Sequence, residues 1–447
     1  MIGDARNASE SGIANEEMLS SIGAALLADP GDGGAWSTLG VLMRRSGKLN
    51  EAIACHRRAL EHAPENGSIW TNLGNALTEA GRLVEAVAAQ EEARRRDPNN
   101  LSVLFNSVVG LRQAGRFAEA LAMIDRAMAA APDLSLRWER ALTRLQIGDY
   151  VHGFHDYEAR RFLSSYNGRT ASLPAWDGKA LDGRAVFLTS EQGIGDALLM
   201  ARYLPLVKAC GGRVLYEGHA ELRRVLSASD IDEYRNWGSP VSGDVEASQM
   251  DLPRLFDTTL ATIPPPVRLT VPEEARRKAS RLLGAPEPGT VRVGIVWSGR
   301  VTFADNARRA TSLTPFLRFA EVPGVRLYSL QKGPPEAELA EMGPAQRLVV
   351  PLGPHLEDFA DTAAMVEQLD LVIMTDSSVA HLAGALGRPV WNLVQYVPYW
   401  IYGFTGEWTP WYPSMRLFRQ GVDLDWRPVF DRAVEALRDE VRRRTGR

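Results

Sequence analysis

Residues 31–64, GDGGAWSTLGVLMRRSGKLNEAIACHRRALEHAP, and residues 65–98, ENGSIWTNLGNALTEAGRLVEAVAAQEEARRRDP, superimpose without a gap, and residues 99–132 continue the pattern. Prolines stand at 30, 64, 98 and 132, a spacing of 34 residues, with Trp36, Trp70, Leu104 and Trp138 in register. Gly40 and Gly74 share one phase, as do Gly47, Gly81 and Gly115, then Ala52, Ala86 and Ala120, then Ala59, Ala93 and Ala127. A fixed period of this size marks a stacked helical repeat. Small Gly40 and Ala52 let two helices approach, Gly47 turns the chain between them, and Pro64 closes the second helix. One helix pair cannot bury its apolar face alone, so neighbours must stack. A leading helix from roughly Glu16 to Ala28 and an atypical fourth repeat from Trp138 to Arg161, with Gly148-Asp149 one residue out of step, read as caps. The repeat domain is therefore expected over 1–161.

The groove of such a superhelix suits an extended or helical peptide. Asn72 and Asn106 occupy equivalent positions on first helices, where paired amides would hold a peptide backbone; solvated polar residues on a helix face are the alternative.

The remainder of the chain reads differently. Residues 162–184 lose the period, and LPAWDGKALDGR reads as a linker or docking strap. Short apolar runs then alternate with helical stretches: Ala185–Ser190, Arg213–Glu217, Arg292–Ser298, Val325–Leu330, Leu369–Thr375 and Pro389–Val394 are expected strands. A Pro-rich segment beginning at Pro264 separates an upstream half, 185–287, from a downstream half, 288–447. Ligands of such sheets bind at the carboxyl ends of strands, and two facing halves place one ligand between them.

Four stretches lie at those ends. The first is Glu191-Gln192-Gly193-Ile194-Gly195-Asp196, a tight turn into a helix. Its Asp196 carboxylate is either a proton acceptor for a substrate hydroxyl or a helix cap. The second is Asp376-Ser377-Ser378-Val379-Ala380-His381, a helix start with free N–H groups that suits a diphosphate, or a simple cap. Ser298-Gly299 with the Arg308-Arg309 loop, and Gln331-Lys332, complete the set and supply positive charge, unless they are solvated loop residues.

Composition excludes other classes. The chain has 447 residues with 51 basic and 55 acidic side chains, so no basic excess points to nucleic acid. No run of 18 apolar residues and no leader pattern can be read, so a cytoplasmic protein without a membrane span is expected. Two distant cysteines and scattered histidines give no disulfide framework and no metal spacing.

With these segments in place, the first third resembles tetratricopeptide repeats. The rest resembles the ADP-heptose:lipopolysaccharide heptosyltransferase family, through EQGIGDALLMARYLP, GIVWSG, Arg308-Arg309, YSLQKG, DFADTAAMVEQLDLVIMTDSSVAHLAGALGRPVW and WYPSMRLFRQ. The combination is similar to repeat-bearing flagellin glycosyltransferases. The resemblance implies a GT-B fold of two Rossmann-like halves, acceptor-binding then nucleotide-sugar-binding. It implies inverting, metal-independent transfer with no cofactor beyond the nucleotide-sugar. Asp196 matches the family's proposed general base. Asp376 to His381 matches its Asp-Thr-Gly-Leu-Ala-His diphosphate element, and Arg308/Arg309 falls where the family places a phosphate-neutralising cation. Gln192, Gly193, Gly195, Ser298, Gly299, Gln331, Lys332, Ser377, Ser378 and Val379 are the expected neighbours of the substrates. The chain departs from the family in carrying Ser377-Ser378-Val379, and in the aromatic stretch 395–402, which either stacks on a base or sugar or packs against the repeats.

The expected activity is transfer of a sugar to Ser or Thr of a polypeptide held by the repeats, with flagellin and a nonulosonic acid as a candidate pair. Transfer to a lipid-linked or polysaccharide acceptor, or a degenerate scaffold, are the alternatives.

Overall fold

A computed structural model describes residues 17–163, 166, 168–226, 230–303 and 306–446. Glu16, the expected start of the leading helix, lies outside the described residues, as do 164, 165 and 167 of the expected linker. The chain divides into two compact units, 1–143 and 144–447.

In the first unit, a helix over 17–28 precedes the helix pairs Gly33–Arg45/Leu49–His62, Gly67–Glu79/Leu83–Arg96 and Leu101–Gln113/Phe117–Ala130. Each pair begins on a cap that also keeps the period: Asp32 accepts from the Ala35 N–H, Asn66 from Ser68, and Asn100 from Ser102. Gly47, Gly81 and Gly115 all adopt φ of 73–74°, the left-handed conformation the turn needs. Trp36 and Trp70 each donate their indole N–H to the proline carbonyl six residues back, at 3.0 and 2.8 Å. Gly40 is small for a specific reason: a Cβ there would lie 2.6 Å from the His56 ring. In the next repeat Gly74 faces Gln90 in the same way, at 2.5 Å.

The second unit contains two parallel sheets, the layout of two Rossmann-like halves. The four-stranded sheet has the order β3-β2-β1-β4, with β1 Ala185–Thr189, β2 Arg213–Gly218, β3 Glu233–Asn236 and β4 Val245–Ser248. The seven-stranded sheet has the order β10-β11-β9-β8-β5-β6-β7. Its strands are β5 Val291–Val296, β6 Val325–Ser329, β7 Val349–Pro351, β8 Leu371–Thr375, β9 Val390–Val394, β10 Trp408–Thr409 and β11 Tyr412–Arg419, and β10 alone runs antiparallel to its neighbour. One face of this sheet buries Val293, Ile295, Trp297, Phe316, Phe319 and Phe430. All six expected strands form within a residue or two of their expected limits; β3, β4, β7, β10 and β11 were not read.

Two expectations change, and one pair of alternatives is decided. The repeat domain ends earlier than 161 by contact, because Tyr150, Phe154, Tyr157 and Arg160 are buried within the second unit. Of the two readings of 162–184, linker or docking strap, the described residues support the strap: Ser172 and Leu173 N–H groups donate to the Glu246 carboxylate at 3.0 and 3.1 Å, and Ala175 bridges to Glu246 beside β4. The helix Glu273–Leu283, expected in the upstream half, packs on the Phe359–Gln368 helix of the downstream half. Lys278 there meets Asp361 at 2.7 Å and Arg276 meets Glu367 at 2.7 Å, while Ala275, Ala279 and Leu283 form its buried stripe.

Candidate functional site

The loop after β1 is held from below by charge. Glu191 is buried and accepts from Arg160 Nε at 2.6 Å and Ser248 Oγ at 2.6 Å; Arg160 Nη2 also reaches Asp251 at 2.8 Å, and Arg161 donates to the same aspartate. Gln192 then takes φ of 67°, a left-handed conformation unusual outside glycine, and its amide donates to the Tyr157 hydroxyl at 2.8 Å. Strain of this kind persists only where surroundings impose it. It turns the chain into the helix Ile194–Met200.

Asp196 lies in the first turn of that helix. Its Oδ2 accepts the Gly193 N–H at 2.9 Å, so it does cap the helix. Its Oδ1 accepts the hydroxyl of Tyr399, from the downstream half, at 2.7 Å. Burial pushes the Asp196 carboxyl above the usual carboxylate range, against the pull of the Tyr399 and Gly193 donors.

The opposite wall begins where β8 ends. Ser377 caps the helix Ser378–Ala385, accepting the Val379 N–H at 3.4 Å. Asp376 accepts the Tyr402 hydroxyl at 2.7 Å and faces Arg309 Nη1 at 3.5 Å. The two helix starts meet directly: a Cβ on Gly195 would lie 2.9 Å from His381 Cδ2 and 3.6 Å from the Cα of Ser378. His381 is buried and its Nδ1 pairs with the Tyr412 hydroxyl at 3.1 Å. Burial lowers its pKa to about 4, so near neutral pH it is an uncharged spacer between the helices rather than a cation for phosphate.

The remaining expected residues divide into those at this wall and those that build it. Arg309 stands over the Phe303 ring at 4.6 Å, and its buried Nε has no hydrogen-bond partner among the described residues. Arg308 is exposed. Gln331 spends its amide on backbone, accepting from Trp297 and Ser298 N–H at 3.1 and 3.0 Å and donating to the Ser298 and Lys332 carbonyls at 3.0 Å. It is a brace between β5 and β6. Asn306 accepts the Gly299 N–H and donates to Ser298 Oγ, both at 3.1 Å. Lys332 is exposed and donates to the Gly353 carbonyl at 3.1 Å. In the first unit Asn72 donates to Ser37 Oγ at 3.4 Å, whereas Asn106 donates to the Ser102 carbonyl of its own helix at 2.7 Å, so the two amides are not used alike.

Sequence reasoning missed Tyr157, Arg160, Arg202, Tyr399, Tyr402 and Tyr412 as individual participants. Arg202 is buried, donates to the carbonyls of Pro264 and Trp411 at 3.1 and 3.0 Å, and lies 4.9 Å from both the Trp411 and Tyr412 rings. Arg202 and Tyr412 sit inside EQGIGDALLMARYLP and WYPSMRLFRQ, and the only signal for Tyr399 and Tyr402 was the aromatic stretch 395–402. Its Trp400 meets Tyr150 and Phe154 edge-on at 5.8 and 5.3 Å, so the stretch packs on the helix Tyr150–Asp156 of its own unit. Among the described residues no group of three His, Cys, Asp or Glu side chains is placed to hold a metal, and no helix is long and apolar enough to cross a membrane.

Two family models described as tetratricopeptide repeats match residues 37–100 and 77–145. Residues 37–145 are tetratricopeptide repeats. Protein FlbA of Caulobacter vibrioides is 29% identical over 356 residues, covering 70% of this chain and 57% of its own length. The chain thus spans little more than half of that relative. A solved glycosyl transferase family 9 structure from Veillonella parvula superimposes with a TM-score of 0.45 at 13% identity, over 59% of this chain and 100% of its own. The ADP-heptose LPS heptosyltransferase II of E. coli does so with a TM-score of 0.42 at 11% identity, over 58% and 99%.

Proposed function

We propose that the second unit is a glycosyltransferase that moves a sugar from a nucleotide-activated donor to a Ser or Thr hydroxyl of a polypeptide captured by the repeats, flagellin being the candidate acceptor. One observation carries this reading: the helix start bearing Asp196 and the helix start after Asp376, with Arg309, meet across Gly195 and His381.

In this reading Asp196 takes the proton of the acceptor hydroxyl as its oxygen bonds to the anomeric carbon, while the bond from that carbon to the donor phosphate breaks. Each carboxylate oxygen has a second lone pair, so the Tyr399 and Gly193 bonds leave room for a further donor. The departing phosphate charge falls to the N–H groups at the start of the Ser378–Ala385 helix and to Arg309, whose Nε has no hydrogen-bond partner among the described residues. This arrangement calls for no metal. Sequence support comes from the heptosyltransferase-like motifs around the same residues.

The test is proteome mass spectrometry of the source cells with and without this gene. A glycan mass lost from one polypeptide, restored by the wild-type chain and not by Asp196→Asn, is the expected outcome; restoration by Asp196→Asn excludes the base. A catalytically silent scaffold is the second reading, favoured by the tyrosine hydroxyls already on both aspartates. Calorimetry of the full chain with a panel of nucleotides separates the two, since a scaffold binds none.

A further inference from the structure

We infer that Tyr399 is a positioning residue for Asp196, its hydroxyl fixing one carboxylate oxygen from a turn that Arg419 and an aromatic cluster hold rigid. The inference rests on the proposed role of Asp196 as the proton acceptor.

Two tyrosines of one turn serve two aspartates on different halves. Tyr399 donates to Asp196 and Tyr402 to Asp376, each at 2.7 Å, with their rings edge-on at 6.5 Å. The turn has little freedom. Between them, Trp400 is wedged edge-on against Tyr150, Phe154 and Trp411, and Ile401 is fully buried. Behind them, Arg419 spends its guanidinium on backbone carbonyls: Gly406 at 2.6 Å, Gly403 at 3.1 Å, Thr405 at 3.0 Å and Tyr402. An arginine satisfied wholly by backbone oxygens fixes a loop without adding a net ion pair to the site.

The consequence falls on Asp196. Besides Tyr399, it faces Tyr157 from the segment before the strap, Tyr412 from β11, Asp376 and Arg309. Burial and the negative charge of Asp376 both favour the neutral acid, which accepts no proton. The Tyr399 hydroxyl opposes them. Burial, together with the adjacent Asp196 charge, keeps that phenol protonated far above its ordinary range, so the donor is present at every working pH.

Tyr399→Phe removes one oxygen and leaves the ring. Full-length protein labelled with 13Cγ-aspartate, with the Asp196 signal assigned by its absence in Asp196→Asn, reads the carboxyl titration directly. The Asp196 midpoint is expected to move upward in Tyr399→Phe, and the acid limb of transfer to move with it once a substrate is in hand; a merely structural role lowers the rate equally at every pH. If Tyr399→Phe does not fold, Arg419→Lys, which keeps both members of the pair and loosens the turn, is expected to shift the midpoint in the same direction. A wild-type midpoint in the folded variant overturns the assignment. Transfer by Asp196→Asn would remove the base and not the Tyr399 bond, so the two failures are distinguishable.

Discussion

A glycine set against a buried histidine ring occurs in each unit, and its uses differ. In the repeats, the His56 ring fills the space in front of Gly40, 2.6 Å from where a Cβ would stand; in the second unit, the His381 ring fills the space in front of Gly195 at 2.9 Å. Both rings are buried, and burial lowers both pKa values to about 4. In the repeats the contact joins two helices of one hairpin, and the next hairpin replaces the histidine with Gln90, so the slot asks only for a flat side chain. In the second unit it joins helices following strands of two different sheets, and the imidazole is also tied to Tyr412. The first is packing that a periodic sequence repeats, and the second is packing that brings two chemical groups together.

The largest way to break this comparison is to cut the support behind the second contact. Arg160→Ala leaves buried Glu191 without its guanidinium and Asp251 with Arg161 alone, and is expected to cost about 3–5 kcal/mol of second-unit stability. Hydrogen exchange of the full chain, read separately over 17–143 and 144–446, should show the loss confined to the latter. Next come Gly40→Ala and Gly195→Ala, each of which forces a ring aside at about 1–3 kcal/mol. Equal losses of stability are expected, but only Gly195→Ala should also weaken nucleotide binding by calorimetry. If Gly40→Ala weakened it as much, the distinction between the two contacts would be lost.

The smallest effect at neutral pH is expected for His56→Gln, which copies Gln90 and should change stability by about 1 kcal/mol or less. Acid separates the two proteins. The unfolded chain protonates His56 near its ordinary value of 6.5 and the folded chain only near 4, so the unfolded state binds the extra proton between them. The stability from keeping His56 neutral is present above pH 6.5 and is lost as pH falls to about 4. The variant lacks that contribution, and its first-unit stability should fall less over this window in denaturant titrations; parallel curves would refute the buried neutral histidine.

What was legible in the sequence was local or periodic. Pro30 to Pro132 announce the repeats because each unit repeats its own contacts, and Asp196 and Asp376 announce themselves because each follows an apolar strand and starts a helix. What was illegible is held by distant partners. Tyr399 reaches Asp196 across 203 positions, and Arg202 reaches Trp411 across 209; the aromatic stretch around the one and the motif around the other do not mark these distant partners. Strand β3, Glu-Tyr-Arg-Asn, carries too little apolar alternation to be read. The end of the repeats was misplaced for a related reason: Tyr150 and Phe154 continue the aromatic look of the repeats, but the residues that cover them, Trp400 and Trp411, come some hundreds of positions later.

Because Tyr150, Phe154, Tyr157 and Arg160 are stitched into the second unit, the chain has a natural splice point just upstream of them, at Thr143/Arg144. Foreign repeat arrays grafted there, with an uninterrupted helix carried through Gln146, are expected to exchange the repeats while leaving the candidate site intact, whereas a graft at 161 would discard the residues on which that site is built.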